Sequence, residues 1–403
     1  MSVLTGKKVL LAVTGGIAAY KTAFLVRNFI KSGAEVKVIM TPGAKDFVTP
    51  LTLSTLSKNP VHSTFYNEED ENALWNNHVE LGLWADLMLI APATANTLSK
   101  MAQGHCDNLV LATYLSAKCP VYFAPAMDLD MYIHPSTTAT FEKLISFDNI
   151  MVPATSGELA SGLVGQGRMA EPEDIVSFIE DHISEQLPLR GQKVLITAGP
   201  TYEAIDPVRF IGNHSTGRMG IELAKTAANL GAQVHLVLGP SSLQVAHSLI
   251  NVIPVTNAQQ MYEAVIAKYQ DCDIAIASAA VADYRPASIA DQKIKKKEGD
   301  FAIKLERTTD ILKWMGQEKQ EQFLVGFALE TENEVENAKA KLTKKNLDLI
   351  VLNSLNDKGA GFKNKTNKVS LINHKLAVKA FDLKTKQEVA QDIFNEINIL
   401  RHV

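Results

Sequence analysis

The sequence predicts an α/β protein with two domains, and three observations carry that prediction. Short, almost wholly apolar stretches alternate with segments of helical spacing, the pattern of parallel strands connected by helices. The pattern begins near residue 8 and begins again near residue 192, where QKVLITAGP is similar to the earlier KKVLLAVTGG. At 403 residues the chain is also too long for one ordinary hydrophobic core. We therefore predict two Rossmann-like domains with mainly parallel sheets, residues 1–187 and 188–403.

The first predicted unit is a β-α-β segment at the start of the chain. Residues 9–13 form an apolar run and 35–40 form another, with the pair Gly15-Gly16 after the first and Gly33 before the second. The intervening stretch places one apolar face at helical spacing, made of Ala23, Leu25, Val26, Phe29 and Ile30. Strands joined by such a crossover are parallel. Two further nearly all-apolar stretches, 85–93 and 119–126, predict strands buried on both faces.

The second half repeats this alternation. Strands are predicted at 192–200, 231–240 and 347–353, and DIAIASAAVADYRP (273–286) reads as a buried strand that runs into a small-residue loop. Between the halves, AEPEDIVSFIEDHI (170–183) has the spacing of an amphipathic helix that begins near Pro172. The segment SEQLPLRG (184–191) then predicts a linker.

Composition and charge narrow the class of protein. The chain is 46% hydrophobic and 21% charged, which is typical of globular proteins, and its net charge of −4 favours neither nucleic acid nor an anionic membrane as a partner. Cys106, Cys119 and Cys272 lie far apart with no CxxC pair, so neither disulfides nor a zinc site are expected. With a strand close to the first residue and no long apolar run, we expect a cytoplasmic location without signal peptide or membrane span.

Small-residue loops follow the strands of the first half and indicate a phosphate-bearing ligand. GGIAAYK (15–21) lies between a strand and a helix, where backbone N–H groups favour phosphate, although this segment alone fits a tight packing turn equally well. TPGA (41–44), APATANT (91–97) and APAM (124–127) follow the other strands. The carboxyl ends of parallel strands line the ligand crevice of such sheets, so four loops there favour a cofactor over simple turns.

These motifs, together with NNHVELGLWAD (76–86), PAMDLDMY (125–132) and GELASGLVGQGRM (157–169), resemble the FMN-dependent cysteine decarboxylases. That family includes the phosphopantothenoylcysteine decarboxylases of coenzyme A synthesis. The resemblance implies FMN bound by Gly16, Ile17, Ala18, Thr41, Thr94, Asn96, Thr97 and Ala126. It also implies His78 as a base beside the flavin, with Met127 and Arg168 in contact with the substrate.

The chemistry implied by the resemblance is an oxidative decarboxylation followed by a reduction. Oxidation of the substrate's cysteine thiol gives a thioaldehyde, whose carbon–sulfur double bond accepts the electrons left when CO2 departs. The resulting enethiol is then reduced, with a cysteine of the protein as proton donor. Imidazole titrates near neutrality, so His78 suits a proton-relaying role.

Two residues depart from the family pattern at the substrate end of this site. Asp128 stands where the family has Asn, and Ser161 stands where it has the proton-donating Cys. An ionised aspartate would repel the substrate carboxylate. Two carboxyl groups in one pocket raise the pKa of one of them, which favours its protonated form. We therefore hypothesise that Asp128 is protonated, hydrogen-bonds that carboxylate and supplies the proton. The competing hypothesis is a site at which the reaction stops at the enethiol. Asp130 is expected to be an ordinary polar loop residue.

The second half carries two more anion-binding loops and a pair of lysines. TAGPT (197–201) and NHSTGRMG (213–220) expose backbone amides, while Arg209 and Arg218 offer forked guanidinium groups. Lys341 and Lys345 lie four residues apart, on one face of a predicted helix before a strand. Runs of lysine usually form solvated faces, yet lysines so placed can also bind a triphosphate.

The segments DPVRFIGNHSTGRMG, AAVADYRP, KIKKK, TTDIL, VGFALET and AKAKLTKKNLDLIVLN resemble the phosphopantothenate–cysteine ligases, which in bacteria commonly follow the decarboxylase in one chain. The resemblance implies that Asn213 positions an acyl intermediate, with Arg209 and Ala280 also in contact with substrate. It implies Lys293 on a mobile flap that excludes water. The implied CTP-binding residues are Ala277, Ser278, Ala279, Asp283, Lys293, Thr309, Asp310, Phe327, Lys341 and Lys345.

The sequence thus predicts a bifunctional ligase and decarboxylase that makes 4'-phosphopantetheine from 4'-phosphopantothenate, L-cysteine and CTP. FMN and Mg2+, the latter bound through the nucleotide, are the expected cofactors, and no protein metal ligands are assigned. CTP rather than ATP follows from the bacterial resemblance alone. A homo-oligomer with flavin sites between subunits is implied in the same way. Alternatives are a flavin domain that stops at the enethiol and one that serves only as an oligomerisation scaffold.

Overall fold

The structure is a computed structural model that describes residues 2–66, 75–158, 162–295, 302–330, 332–354 and 364–402. The chain divides into two compact units, an N-terminal unit of residues Met1–Glu185 and a C-terminal unit of residues Gln186–Val403. This division falls inside the predicted linker, two residues before the predicted functional boundary at 187/188, which stays a prediction.

The N-terminal unit is built on a parallel sheet with strand order β3-β2-β1-β4-β5-β6. A separate antiparallel hairpin, β7–β8, follows it. The strands are β1 (Lys8–Val13), β2 (Glu35–Met40), β3 (Val61–His62), β4 (Leu87–Ala93), β5 (Val121–Pro125), β6 (Ile150–Met151), β7 (Thr155–Glu158) and β8 (Val164–Arg168).

Helices cover both faces of this sheet. They are α1 (Thr22–Lys31), α2 (Pro50–Ser57), α3 (His78–Trp84), α4 (Ala95–Gln103), α5 (Leu109–Ser116), α6 (Leu129–Ile133), α7 (Pro135–Ser146) and α8 (Pro172–Glu185), with 3-10 turns at Ile17–Lys21 and Pro42–Asp46. Several begin at a side chain that accepts a hydrogen bond from the first turn, for example Thr94 before α4 and Asn108 before α5. Such caps explain where these helices start.

The C-terminal unit has a larger mixed sheet with order β13-β12-β9-β14-β17-β18-β20-β21, in which β20 and β21 are antiparallel to their neighbours. The strands are β9 (Lys193–Ala198), β10 (Tyr202–Ala204), β11 (Phe210–Gly212), β12 (Gln233–Leu238), β13 (Ile250–Pro254), β14 (Ile274–Ala277), β15 (Tyr284–Pro286), β16 (Leu305–Arg307), β17 (Phe323–Glu330), β18 (Leu349–Ser354), β19 (Thr366–Asn367), β20 (Val369–Asn373), β21 (Val378–Ala380) and β22 (Lys384–Thr385). The helices are α9 (Arg218–Asn229), α10 (Ala258–Tyr269), α11 (Ile311–Gln317), α12 (Glu334–Lys344) and α13 (Lys386–Arg401).

Each sheet separates two hydrophobic layers, because alternate strand residues face opposite sides. In β9, Val194 and Ile196 pack with α9 and α13 on one face, whereas Leu195 packs with α10, α11 and α12 on the other. The N-terminal sheet is arranged alike, with α1 and α8 on one face and α4, α5 and α7 on the other. Burying a large apolar side chain contributes about 1.5–3 kcal/mol, so these layers are the main source of stability.

The predicted α/β fold with mainly parallel sheets is confirmed. The strand predicted at 35–40 coincides with β2, and β1 is one residue longer than predicted. The other predicted strands overlap observed ones. The predicted apolar face of α1 is correct for Leu25, Val26 and Phe29, but Ile30 is 37% exposed. Ile30 is the penultimate residue of α1, next to the fully buried Phe29.

The last helix, α13, has a capping box that should contribute measurably to stability. The Thr385 hydroxyl accepts from the Glu388 amide, and the Glu388 carboxylate accepts in return from the Thr385 amide. Loss of such a cap costs about 1 kcal/mol. Thr385→Ala should therefore lower the unfolding temperature of the C-terminal unit by about 2–4 °C, measured by calorimetry. The exposed neighbour Gln387 is a matched control, and an equal loss in Gln387→Ala would contradict the capping explanation.

Candidate functional sites

The N-terminal unit has a cavity of about 1180 Å³ at the carboxyl edge of its parallel sheet. The loops after β1, β2, β4 and β5 line it, together with the end of the β7–β8 hairpin. All eight residues predicted to bind flavin lie in its wall: Gly16, Ile17, Ala18, Thr41, Thr94, Asn96, Thr97 and Ala126. Met127, Asp128 and Arg168, predicted at the substrate end, line the same cavity.

Two of the lining loops touch through backbone alone. A Cβ atom on Gly15 would lie 2.9 Å from both the carbonyl carbon and the oxygen of Gly43. A Cβ on Gly16 would lie 3.4 Å from the Thr94 methyl group. Glycine at position 15 is therefore required by the close approach of the loop after β1 to the loop after β2.

A hydroxyl network fixes the loop after β4 against the end of β1. The buried Thr14 hydroxyl donates to the Pro92 carbonyl at 2.6 Å and lies 3.3 Å from the Thr94 hydroxyl. Thr94 in turn accepts from the amide of Thr97 at the start of α4. The wall thus combines small residues, hydroxyl groups and a helix N-terminus, donors that suit a phosphate, with apolar side chains such as Ile17 and Met131. This donor set fits a flavin nucleotide.

Lys21 lines the cavity too and was not among the predicted site residues. It is 4% exposed, and its ammonium group donates to the Met169 carbonyl and to the Glu171 carboxylate, both at 3.0 Å. Arg168 donates to the same Glu171 oxygen at 2.8 Å. Two cations sharing one carboxylate leave net positive charge beside the cavity. Lys21 is the last residue of GGIAAYK, and that position in the motif could have identified it as a cavity residue.

Asp128 caps the short helix α6 at the cavity wall. Its Oδ1 atom accepts from the amide of Leu129 at 2.9 Å. The β7–β8 hairpin packs against the same loop, because the Met127 amide donates to the Gly167 carbonyl at 3.0 Å. An asparagine would make the same cap through its Oδ1 atom. Aspartate in place of asparagine therefore changes only the other terminal atom of the side chain, from an amide nitrogen to the oxygen Oδ2. Asp130 is exposed. Ser161 lies outside the described residues.

His78 does not line this cavity. It is the first residue of α3, with its ring edge-on to Phe65 and Trp75 at centroid distances of 6.1 and 6.4 Å. Its Nδ1 atom is buried and makes no hydrogen bond to any part of the chain that the structure describes. The neighbouring side chains Trp75, Val79 and Leu83 are 56%, 44% and 61% exposed. Within one chain, His78 is therefore separate from the predicted flavin residues.

The C-terminal unit has its own cavity of about 910 Å³, also at the carboxyl edge of its sheet. The predicted residues that line it are Asn213, Ala277, Ser278, Ala279, Ala280, Asp283, Thr309, Asp310, Phe327, Lys341 and Lys345. They come from the loops after β9, β14 and β16, from β17 and from α12. The fold therefore assembles segments that are up to 132 residues apart, the separation between 213 and 345.

Backbone contacts fix Asn213 at the mouth of this cavity. Its side-chain amide donates to the carbonyls of Ala280 and Val281 at 3.0 and 3.3 Å. Ser278 is held in the same way, because its hydroxyl donates to the Thr197 carbonyl at 2.7 Å. The side-chain amide of Asn213 therefore lies beside the small residues of the loop after β14.

Two lysines and an aspartate of the cavity form a charged group around α12. Lys341 donates to the Phe327 carbonyl at 2.8 Å, and burial lowers the pKa of its ammonium group. Lys345 pairs with Asp310, which caps α11. Burial acts to raise the pKa of the Asp310 carboxyl, but the hydrogen bonds from Lys345 and the Lys313 amide outweigh it and lower that pKa. A polyphosphate would find two cations here, one of them strongly dehydrated.

Arg209 and Lys293 do not line the cavity of the C-terminal unit. The Arg209 guanidinium pairs with the buried Asp206 and donates to the Ile294 carbonyl at 3.0 Å. The hydrogen bond from Arg209 holds the pKa of Asp206 far below its ordinary value. Asp206 also accepts from the Ile294 amide at 3.1 Å. Ile294 follows the exposed Lys293, so this bond joins the start of the predicted flap to the Arg209–Asp206 pair. The geometry gives Arg209 a structural role within the single chain.

Arg307 and Lys386 line the cavity although neither was predicted to bind ligand. Arg218, one of the two arginines predicted to suit an anion, lines the cavity as well. Lys386 begins α13, far from every quoted motif, so only the packing of that helix brings it to the site. No signal in the sequence pointed to it.

Neither a metal cluster nor a membrane span is found in the described chain. No group of three or more His, Cys, Asp or Glu side chains among the described residues is placed to hold a metal ion. None of the described helices combines the length and the apolar character needed to cross a bilayer.

Comparison with known proteins assigns a family to each unit. The Flavoprotein family model matches residues 2–184, and the model described as DNA/pantothenate metabolism flavoprotein C-terminal domain matches residues 189–400. A "Cysteine/Cysteine sulfinic acid decarboxylase" from an unknown prokaryotic organism is 54% identical, covering 88% of this chain and 100% of that protein.

Relatives with both domains are also found along nearly the whole chain. The "Coenzyme A biosynthesis bifunctional protein CoaBC" of Bacillus subtilis (strain 168) is 44% identical and covers 98% of each chain. A crystal structure of the C-terminal domain of a protein with that name is 43% identical, covers 54% of this chain and 99% of that one, and has a TM-score of 0.46.

Proposed function

Because this chain belongs to the family of bifunctional coenzyme A biosynthesis proteins, we propose that its two cavities carry out that family's two successive reactions. The cavity of the C-terminal unit joins L-cysteine to 4'-phosphopantothenate with CTP, and the cavity of the N-terminal unit decarboxylates the product to 4'-phosphopantetheine. The supporting observation is that residues taken from widely separated motifs line one cavity in each unit.

The ligation proceeds through an activated carboxylate. The carboxylate of 4'-phosphopantothenate attacks the α-phosphate of CTP, which releases pyrophosphate and forms an acyl-cytidylate. The amine of cysteine then attacks the acyl carbon and releases CMP. We assign the triphosphate to Lys341 and Lys345 and the acyl group to Asn213, whose amide is oriented by the Ala280 and Val281 carbonyls. Mg2+ bound through the phosphates would reduce the charge repulsion between the reactants.

The decarboxylation uses FMN, held by the loops after β1, β2, β4 and β5. FMN held there would supply the two-electron oxidation of the substrate thiol and, after CO2 has left, the return of those electrons. The residues of this chain bind the phosphate at Gly16 to Ala18, exclude water with the β7–β8 hairpin and place Asp128 at the substrate end. His78 completes the site from a neighbouring copy of the chain, consistent with its position outside the cavity and the exposed apolar side chains around it.

Product analysis by mass is the direct test of this function. Purified protein supplied with FMN, CTP, Mg2+, cysteine and 4'-phosphopantothenate should release pyrophosphate and yield 4'-phosphopantetheine. Accumulation of the enethiol, two hydrogens lighter, would instead identify a decarboxylase that stops before reduction. An undecarboxylated product would leave the N-terminal unit as a scaffold.

Asp128 is the residue we propose as proton donor in the reduction. With Oδ1 accepting from the Leu129 amide, the transferred proton would reside on Oδ2. Asp128→Asn should lower formation of saturated product at least tenfold and accumulate enethiol, while pyrophosphate release by the other unit is unchanged. The exposed Asp130, two residues further on, is the matched control. Unchanged saturated product in Asp128→Asn would exclude the proton-donor role.

Free cysteine is a second candidate substrate for the flavin cavity. The relative that is 54% identical is named for cysteine and cysteine sulfinic acid, and both Asp128 and Glu158 line the cavity. Carboxylates there suit the ammonium group of an unacylated amino acid, which the amide-linked substrate lacks. Release of CO2 and cysteamine from cysteine alone, without CTP, would support this activity, and its absence would rule it out.

A further inference from the structure

One carboxylate beside the flavin cavity is shared by two cations and has no role in the assignments above. Lys21 donates to Oε1 of Glu171 at 3.0 Å, and a guanidinium nitrogen of Arg168 donates to the same oxygen at 2.8 Å. Both cations line the cavity, whereas Glu171 does not. Because the two nitrogens lie so close to one oxygen, they would repel each other if its charge were removed. Glu171 therefore determines where both cations can lie.

The backbone is fixed on both sides of Arg168. Before it, the Gly167 carbonyl accepts from the Met127 amide at 3.0 Å. A Cβ atom on Gly167 would lie 2.6 Å from the Met127 carbonyl oxygen, so this close contact requires glycine. After it, the Met169 carbonyl accepts from the Lys21 ammonium group at 3.0 Å. With its backbone held at both neighbours, Arg168 can change its position in the cavity only through its side chain.

Glu171 and Lys21 are attached to helices that pack together. The Glu171 carbonyl accepts from the Ile175 amide at 3.0 Å in the first turn of α8. Ile175 and Ile179 of α8 lie in one hydrophobic cluster with Leu25 of α1, and Lys21 directly precedes α1. The carboxylate and the ammonium group are thus held by rigid elements. The arginine is the member of this group whose direction depends on the other two.

The Arg168 guanidinium keeps hydrogen-bond donors for a ligand. Among the residues that the structure describes, it donates to Glu171 alone, through one of its three nitrogens. The Arg168 side chain is 42% exposed, whereas that of Lys21 is 5% exposed. A guanidinium group held at one edge presents its other edge to a carboxylate or phosphate in a defined direction. The exposed cation is therefore suited to bind substrate, and the buried one to hold the loops together.

We propose that Glu171 is a positioning residue for the decarboxylation, which directs the Arg168 guanidinium towards an anionic group of the substrate. This inference rests on the proposed decarboxylation. The same carboxylate neutralises Lys21, the last residue of the turn that follows the glycine pair of the flavin loop. Glu171 thus connects the loop assigned to FMN with the residue assigned to substrate, and itself lies outside the cavity.

The test is a double-mutant cycle in the FMN-loaded protein, with 4'-phosphopantothenoylcysteine supplied as substrate. Arg168→Met should raise the KM for CO2 release about tenfold to a hundredfold, the loss expected for a hydrogen-bonded charge. Glu171→Gln keeps the shape of the side chain but removes its charge, and it should raise KM about tenfold with kcat within about threefold. In the Arg168→Met background, Glu171→Gln should add less than about twofold, because its effect passes through the arginine.

Glu173→Gln is the matched control for the loss of a carboxylate. Glu173 lies in the first turn of the same helix, is exposed, accepts from the Asn28 side-chain amide at 3.0 Å and does not line the cavity. Its KM and kcat should stay within about twofold of the native values. A rise in KM equal to that of Glu171→Gln would overturn the inference.

Thermal unfolding separates positioning from simple neutralisation of a buried charge. Glu171→Gln should lower the unfolding temperature, because the buried Lys21 ammonium group loses its counter-charge. Lys21→Met combined with Glu171→Gln should recover most of that temperature while KM stays raised. The cycle with Arg168→Met can be repeated in the Lys21→Met background, where loss of Glu171 leaves no buried charge. Recovery of KM together with stability, or additive effects of Glu171→Gln and Arg168→Met on KM, would overturn the inference.

A binding measurement keeps this inference distinct from the proposed function. Failure of the native FMN-loaded protein to release CO2 would overturn the proposed decarboxylation. The same cycle, measured by calorimetry as the dissociation constant of 4'-phosphopantothenoylcysteine, would then decide the role of Glu171. Coupled losses of affinity would support it, additive losses would overturn it, and absence of binding to the native protein would overturn both proposals.

Discussion

Lys341→Ala is expected to reduce CTP-dependent pyrophosphate release about a hundredfold to a thousandfold. Its ammonium group is held by the Phe327 carbonyl inside the cavity and is largely removed from water, where a charge acts strongly on a transferring phosphate. Removal of one such preorganised donor typically costs about this much in rate. The measurement is pyrophosphate release under saturating 4'-phosphopantothenate, with CTP varied.

The chain provides a matched control three residues away. Lys344 belongs to the same helix and carries the same charge, but it is exposed and does not line the cavity. Lys344→Ala should keep activity within twofold of the native protein. If Lys341→Ala retained a third or more of the native rate, the assignment of the triphosphate to α12 would have to be abandoned.

Gly15→Ala is expected to yield protein that no longer retains FMN. The new methyl group would lie 2.9 Å from the Gly43 backbone, which has no flexible end to move aside, so the two loops would separate at the cavity. FMN affinity should fall at least tenfold, measured by flavin fluorescence after titration of the apoprotein. Gly82→Ala is the control for general destabilisation, because its methyl group would meet the Ser116 carbonyl oxygen at the same 2.9 Å but outside the cavity. Equal loss of FMN from both variants would show that stability rather than loop contact is responsible.

The same variant can test whether flavin sites lie between subunits. Gly15→Ala and His78→Asn chains should each be inactive in decarboxylation when expressed alone. Co-expression should restore part of the activity if one copy supplies the flavin loops and another supplies His78. Absence of any restoration, with mixed oligomers demonstrated by mass, would place both groups in one chain.

The parts of the sites that follow strands could be predicted, and those that depend on helix packing could not. Gly16, Thr41, Thr94 and Ala126 line one cavity because a parallel sheet brings its strand ends to one edge whatever the rest of the chain does; their contact with FMN stays a prediction. Lys341 lines its cavity because a helix that leads into a strand ends at one edge of the sheet; its contact with CTP stays a prediction.

The positions that the sequence pattern did not locate depend on packing and on local turns. Lys386 reaches its cavity only because α13 packs beside α9. The apolar periodicity of α13 shows that one of its faces is buried, but not which helix it packs against. Arg209 lies outside the cavity of its own chain, because its guanidinium group pairs with Asp206, three residues earlier; its contact with substrate stays a prediction. An ion pair between residues three apart forms only if the turn between them brings the two side chains together. The local sequence pattern did not determine the turn between Asp206 and Arg209.

Lys341 and Lys345 line the ligation cavity and would still face the cytidylate phosphate after pyrophosphate has left. An anionic intermediate held by fixed cations dissociates more slowly than an uncharged one would. The mixed anhydride should therefore stay bound until cysteine arrives.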